Sequence, residues 1–138
     1  MKLVLDTDVV VAAMRSPRGA SAEILRAARQ GRVMLLVSMP LALEYEAVCS
    51  RAGHRLAAGL SAHEVEVFVT AIIAMAEPIF THFLWQPQLR DAGDEMVLEA
   101  AINGRAEALV TFNVRDFAPA HTLFGVPTLL PREAVRRI

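Results

Sequence analysis

Lysine is almost missing from this chain. Of its 14 basic residues only Lys2 is a lysine, and the rest are arginines. Arginine's planar fork matches phosphate oxygens better than an ammonium does, although biased codon usage produces the same skew. Cysteine is as scarce: Cys49 stands alone, which excludes an internal disulfide and a cysteine-based zinc site. It reads as a small buried hydrophobe. Long apolar runs are lacking too. The longest, residues 69–75, is broken by Thr70 and flanked by Glu66 and Glu77, well short of the ~20 residues that span a bilayer. No membrane partner is expected. No secretory leader is visible ahead of the first strand, so a cytoplasmic location is expected. Charge of one sign is not in excess either: the formal net charge is −1, and long-range electrostatics do not announce a nucleic-acid binder. The G-x-S-x-G, P-loop and dinucleotide-binding glycine patterns are missing. The histidines, His54, His63, His82 and His121, are scattered and form no ligand set.

What the chain does have is apolar residues, 54% of the total. Without a membrane span, that excess points to a sheet buried on both faces, to an oligomer interface, or to both. Its 138 residues suit one domain, 1–138. A domain of this size buries roughly 65–70% of its unfolded surface and needs no covalent staple.

Residues 2–6 read as a buried strand, and a first helix follows over 8–14, stopped by Ser16-Pro17-Arg18-Gly19. Ser21 is expected to cap a helix through Arg29, with Gly31 as the stop. A second strand spans 33–37. Ser38 caps a helix that tolerates Pro40 in its first turn and runs to about Arg51. Ser61-Ala62-His63-Glu64 is a capping box opening a helix to about Met75. A third strand covers 77–80, and 81–90, with Trp85 as a packing or interface residue, is an irregular connection. Asp91 or Asp94 caps the next helix, whose inner face carries Val97, Leu98, Ala101 and Ile102 and which ends at Gly104. Strands over 108–111 and 126–129 precede a short tail. Alternating strands and helices imply an α/β fold with a central parallel sheet flanked by helices.

Acids recur at the ends of these elements. Ligands bind at the carboxyl ends of parallel strands, and converging carboxylates suit a hard cation such as Mg²⁺ or Mn²⁺. The first strand runs into Asp6-Thr7-Asp8; helix capping accounts for one of that pair. Glu44 is three residues after Leu41 and four before Val48, on the apolar face of its helix, where a carboxylate is costly unless paired or metal-bound. Glu46 points to solvent. Asp91, Asp94 and Glu95 exceed what one helix N-terminus needs. Asn113, Arg115 and Asp116 follow the fourth strand; Asp116 can be a turn residue, and Arg115 can meet a phosphate or pair with an acid.

Leu5-Asp6-Thr7-Asp8-Val9-Val10 resembles the opening of haloacid-dehalogenase-like phosphatases, but that family uses a downstream lysine that this chain lacks. Four segments in order resemble the PIN-domain ribonucleases, and within them the VapC-like toxins of toxin–antitoxin pairs. They are Val4-Leu5-Asp6-Thr7-Asp8-Val9, then Ser38 to Tyr45 with Glu44, then Arg90 to Ala101 with Asp91 and Asp94, then Leu109 to Phe117 with Thr111, Asn113 and Asp116. The resemblance covers essentially the whole chain. It implies a three-layer PIN-like fold and an acidic core of Asp6, Glu44, Asp94 and Asp116, steadied by Thr7, with Asp8, Asp91, Asn113 and Arg115 as accessories. It implies Mg²⁺- or Mn²⁺-dependent hydrolysis of RNA that leaves a 5′-phosphate and a 3′-hydroxyl. It also implies a homodimer and a small antitoxin protein that blocks the site. The chain departs from many relatives at Ala92, Gly93 and Asn113, where they carry acids. A PIN-like module that binds RNA or protein with little cleavage is therefore the alternative.

Overall fold

The computed structural model describes residues 1–80 and 92–138. Asp91, Trp85, His82, Arg90 and the connection expected over 81–90 lie outside the described residues. Element order is β1 (Lys2–Leu5), α1 (Thr7–Arg15), α2 (Ala20–Arg29), β2 (Met34–Ser38), α3 (Met39–Cys49), α4 (Ala52–Ala58), α5 (Ala62–Met75), β3 (Glu77–Ile79), α6 (Ala92–Asn103), β4 (Ala108–Val110), a 3₁₀ turn (Val114–Phe117), α7 (Ala118–Phe124), β5 (Thr128–Leu129) and α8 (Pro131–Arg136).

All described strand pairs are parallel, in the order β3-β2-β1-β4-β5. Leu3, Val4 and Leu5 are all buried, as are Leu35, Leu36 and Val37, and Ala108, Leu109 and Val110. Successive strand residues face opposite sides, so both faces of the sheet are covered and the domain has three layers. This is the α/β architecture with a central parallel sheet flanked by helices that the sequence implies. The apolar excess is spent on this doubly covered sheet. Proline is tolerated only on an edge strand, and Pro78 is on β3, the outer strand of its side.

The caps explain where several helices start. Ser38 accepts a hydrogen bond from the Leu41 amide at 3.2 Å, and Ser61 and Glu64 form the reciprocal capping box. The structure corrects the cap of α2. Its N-cap is Gly19, and Ser21 is buried inside the first turn. Asp94 likewise lies within the first turn of α6. That helix ends just before Gly104, a position where a side chain does not fit: a Cβ there would come within 2.8 Å of Leu36 Cδ1 and 3.1 Å of Ile79 Cδ1. α4 and α8 have little sequence signal of their own. α4 buries no residue fully, so it carries little apolar periodicity, whereas α8 packs on α2 through fully buried Ala134.

Among the described residues no single helix is long and apolar enough to cross a membrane. Cys49 is a buried free thiol, and burial pushes its pKa up to about 11. It is packing, as the sequence implied.

Candidate active site

β1 is the centre of the sheet. The chain leaves it to build β2 and β3 on one side, and returns to build β4 and β5 on the other. The carboxyl ends of β1 and β4 therefore flank a topological switch point, where open α/β sheets form their ligand crevice. The residues that follow these two strands are Asp6 and Thr111.

Asp6 continues the β1 ladder through its amide, which donates to Val110 O at 2.8 Å. It then becomes the N-cap of α1. Its Oδ1 accepts from the Thr7 amide at 2.7 Å and its Oδ2 from the Thr111 hydroxyl at 2.7 Å. Capping explains the first of these contacts. It does not explain why the carboxylate is only 6% exposed or why a second strand supplies a donor to it.

Asp8 is in the first turn of α1, beside Asp6. Its Oδ2 accepts from the Phe112 amide and from Asn113 Nδ2, both at 3.2 Å. Its Oδ1 is buried with no hydrogen-bond partner. Burial, followed by the charge of Asp6, raises the Asp8 pKa from 3.8 to about 7. The neighbouring Asp6 carboxylate thus adds to burial in favouring the protonated form of Asp8. Thr111 also accepts from the Asn113 amide at 2.9 Å, which folds the β4 loop back over the pair.

Two positioning residues were not singled out from the sequence. One is Thr111, whose role follows only from the β1–β4 pairing. The other is Tyr45, fully buried on α3, whose hydroxyl donates to Leu5 O at 2.5 Å. It pins the last β1 residue immediately before Asp6. Its signal was its place with Leu41 and Val48 on the buried stripe of α3. Tyr45→Phe leaves that carbonyl without its donor and is expected to cost about 1–3 kcal/mol, measured by chemical denaturation; an unchanged midpoint would mean that the contact carries no weight.

The remaining expected acids are more dispersed. Glu44 is half-buried on α3, whose buried stripe is Leu41, Tyr45, Val48 and Cys49, while Glu46 is exposed. Asp94 is half-buried, and Asp116 and Arg115 are exposed on the 3₁₀ turn. Thr7 meets Asp6 through its backbone amide. Among the described residues, no three His, Cys, Asp or Glu side chains form a group able to hold a metal ion. The grouping shown directly is Asp6 with Asp8, Thr7, Thr111 and Asn113.

The chemistry of that grouping fits a divalent cation. Two carboxylates are pressed together, and one buried carboxylate oxygen is left with no donor. A hard cation accepts such oxygens and would relieve both conditions.

The sequence pattern of the PIN domain matches residues 2–115. The chain is a PIN-domain protein. No curated protein matches it. Among solved structures, this PIN domain superposes on a chain of VapBC2 from Rickettsia felis bound to a DNA fragment from its promoter. The TM-score is 0.62 at 14% identity, and the match covers 94% of this chain and 98% of that one. At that identity the likeness is one of fold.

Proposed function

We propose that this PIN domain is a divalent-metal-dependent endoribonuclease and the toxin of a toxin–antitoxin pair, acting in the cytoplasm. The observation that carries the reading is the Asp6–Asp8 pair at the switch point, with Asp8 Oδ1 left open. Asp6 and Asp8 would hold Mg²⁺ or Mn²⁺, joined by Glu44, Asp94 and Asp116. A bound cation of this kind activates water and neutralises charge developing on a phosphodiester. The Thr7 amide and the Thr111 hydroxyl hold the Asp6 carboxylate in place. The Phe112 amide and Asn113 hold one oxygen of Asp8, which leaves the other for the cation. Loading below neutral pH would release the proton held by Asp8. The arginine-rich surface supplies forks for RNA phosphates.

The test is purified protein on single-stranded RNA with Mg²⁺, Mn²⁺ or EDTA. Cleavage with metal and none in EDTA is expected. Cleavage that persists in EDTA rejects the reading. The absence of a three-acid group among the described residues, together with Gly93 and Asn113, favours a second reading, an RNA- or protein-binding module. Metal-independent RNA binding with no cleavage would support it.

The antitoxin is proposed from the complex named for the superposed structure. A homodimer is proposed from large apolar side chains left exposed: Met39 and Leu43 on α3, Val67 and Ile73 on α5, and Phe80. Several of these border a groove of about 260 Å³ with Ile79. A stable interface of at least ~1,200 Å² in total should give a species of twice 15.1 kDa in sedimentation at micromolar concentration. A monomer alone would contradict it.

A further inference from the structure

A hollow of about 260 Å³ opens next to the acidic pair, lined among others by Ala12, Gly19, Ser21, Phe112, Pro131 and Arg132. Ala12 follows Asp8 by one helical turn, so the two share a face of α1. Phe112 joins the hollow to the acids directly: its amide donates to Asp8, while its side chain stays 49% exposed. The walls are mostly apolar, with few polar groups, which is the make-up of a ligand pocket. One of those groups is unusual. Ser21 is 3% exposed and its Oγ has no hydrogen-bond partner. A buried hydroxyl left in that state costs the fold stability, and a ligand bearing a donor or acceptor would remove the cost.

We propose that this hollow is a base-binding subsite of the RNA surface, in which a nucleobase stacks on Phe112 and turns its polar edge to the Ser21 hydroxyl. This rests on the reading of the chain as an RNA-binding PIN domain. Its volume falls below the roughly 300–1,000 Å³ of pockets that take drug-sized ligands, so it suits one planar group and not a peptide segment. A nucleobase has two apolar faces and a hydrogen-bonding edge, which matches an aromatic ring over a lone hydroxyl. Arg132 is exposed at the rim, where its fork can meet the phosphate of the same nucleotide. The base held here would be a neighbour of the phosphodiester presented to Asp6 and Asp8, so the subsite would set which sequence is cut.

The experiment measures binding of short single-stranded RNAs, each with one base varied, to the Asp6→Asn protein by fluorescence anisotropy. Cleavage is followed separately on the otherwise wild-type chain. Stacking on an aromatic side chain predicts that adding Phe112→Ala weakens binding roughly 5- to 100-fold. Phe112→Tyr should restore it and Phe112→Leu should not, because Leu keeps apolar area without a ring. Ser21→Ala should flatten the base preference while the melting temperature holds or rises, since the lost hydroxyl had no partner. Unchanged RNA affinity in Phe112→Ala overturns the subsite. So does weakened capture of a protein partner with RNA binding intact. Base-selective, Phe112-dependent binding in a chain that never cleaves would sustain the subsite while the nuclease reading fails. No RNA binding at all would end both.

Discussion

Asp6→Asn is expected to lower metal-dependent RNA cleavage by more than roughly a hundredfold, a loss beyond that of an outer-sphere change at a metal site, while the fold survives. Asn caps helices as well as Asp does, so the Thr7 amide keeps its acceptor. At the other oxygen the amide NH₂ would donate to Thr111 Oγ1, which already accepts from the Asn113 amide and has a second lone pair. Of these two contacts, the donation by Thr111 is the one that changes. Against that loss, the charge facing Asp8 is gone, and it is one cause of the raised Asp8 pKa. Metal-free melting temperature should therefore hold or rise. Asp6→Ala provides the contrast, since it removes the cap and both contacts and should destabilise by about 1–3 kcal/mol. Equal cleavage by wild type and Asp6→Asn would reject the metal-nuclease reading. Unfolding of Asp6→Asn would mean that the carboxylate is structural first.

Metal-free stability should fall as pH rises from about 4 to about 7, opposite to the usual behaviour of an ion-paired carboxylate. Asp8 titrates at about 7 in the fold, against an ordinary 3.8. Between those values the folded chain binds more protons than the unfolded one, so the slope of stability with pH is negative. The penalty is fully developed above pH 7. A shift of this size corresponds to at most ~4 kcal/mol, and solvent screening at a partly exposed carboxylate reduces it. Melting temperatures in EDTA should be roughly 5 °C or more lower at pH 8 than at pH 5, and Asp8→Asn should remove the difference. Mn²⁺ added at pH 8 should recover it by binding the native state. Glu23 and Glu64 do not confuse the window. The hydrogen bond from Arg26 lowers one and the bond with the Ser61 backbone lowers the other, both below the ordinary 4.5. Their stability is lost only as pH falls below that range. A flat profile from pH 5 to 8 would show that Asp8 is not buried beside Asp6 as the fold places it.

The strands and major helices were legible because each carries a local cause. Leu3-Val4-Leu5 and Leu35-Leu36-Val37 are too apolar for a half-exposed strand, and Ser38 and Ser61 announce their helices. Ser21 misled because serine in a first turn resembles serine at a cap; the chain uses Gly19 with no side-chain help. α8 carries little signal because only Pro131 and Ala134 of its six residues are buried. At the site, Asp6 was visible as an acid ending a strand. Thr111 was not, because its partner is 105 residues away and only strand order makes them neighbours. Asp8 could be read from its sequence position only as a cap or a ligand. The raised pKa depends on burial that the loop at Phe112 and Asn113 supplies. Glu44 reads from its spacing as part of the inner stripe of its helix, where the fold leaves it half-buried, and its partners for metal binding were beyond local reasoning.

The strand order also has a consequence in time. β1 precedes the other described strands, yet it occupies the middle of the sheet, and one of its two neighbours, β4, follows both β2 and β3. The bond that orients Asp6 spans 105 residues. At ~5–20 residues per second of synthesis, roughly 5–20 s separate the appearance of the acid from that of the hydroxyl that holds it. Until then the first strand has an open edge and the acidic pair lacks its covering loop. A nascent chain is thus built with its chemistry deferred: the residues between Asp6 and Thr111 must all be made before the two sides of the site can meet.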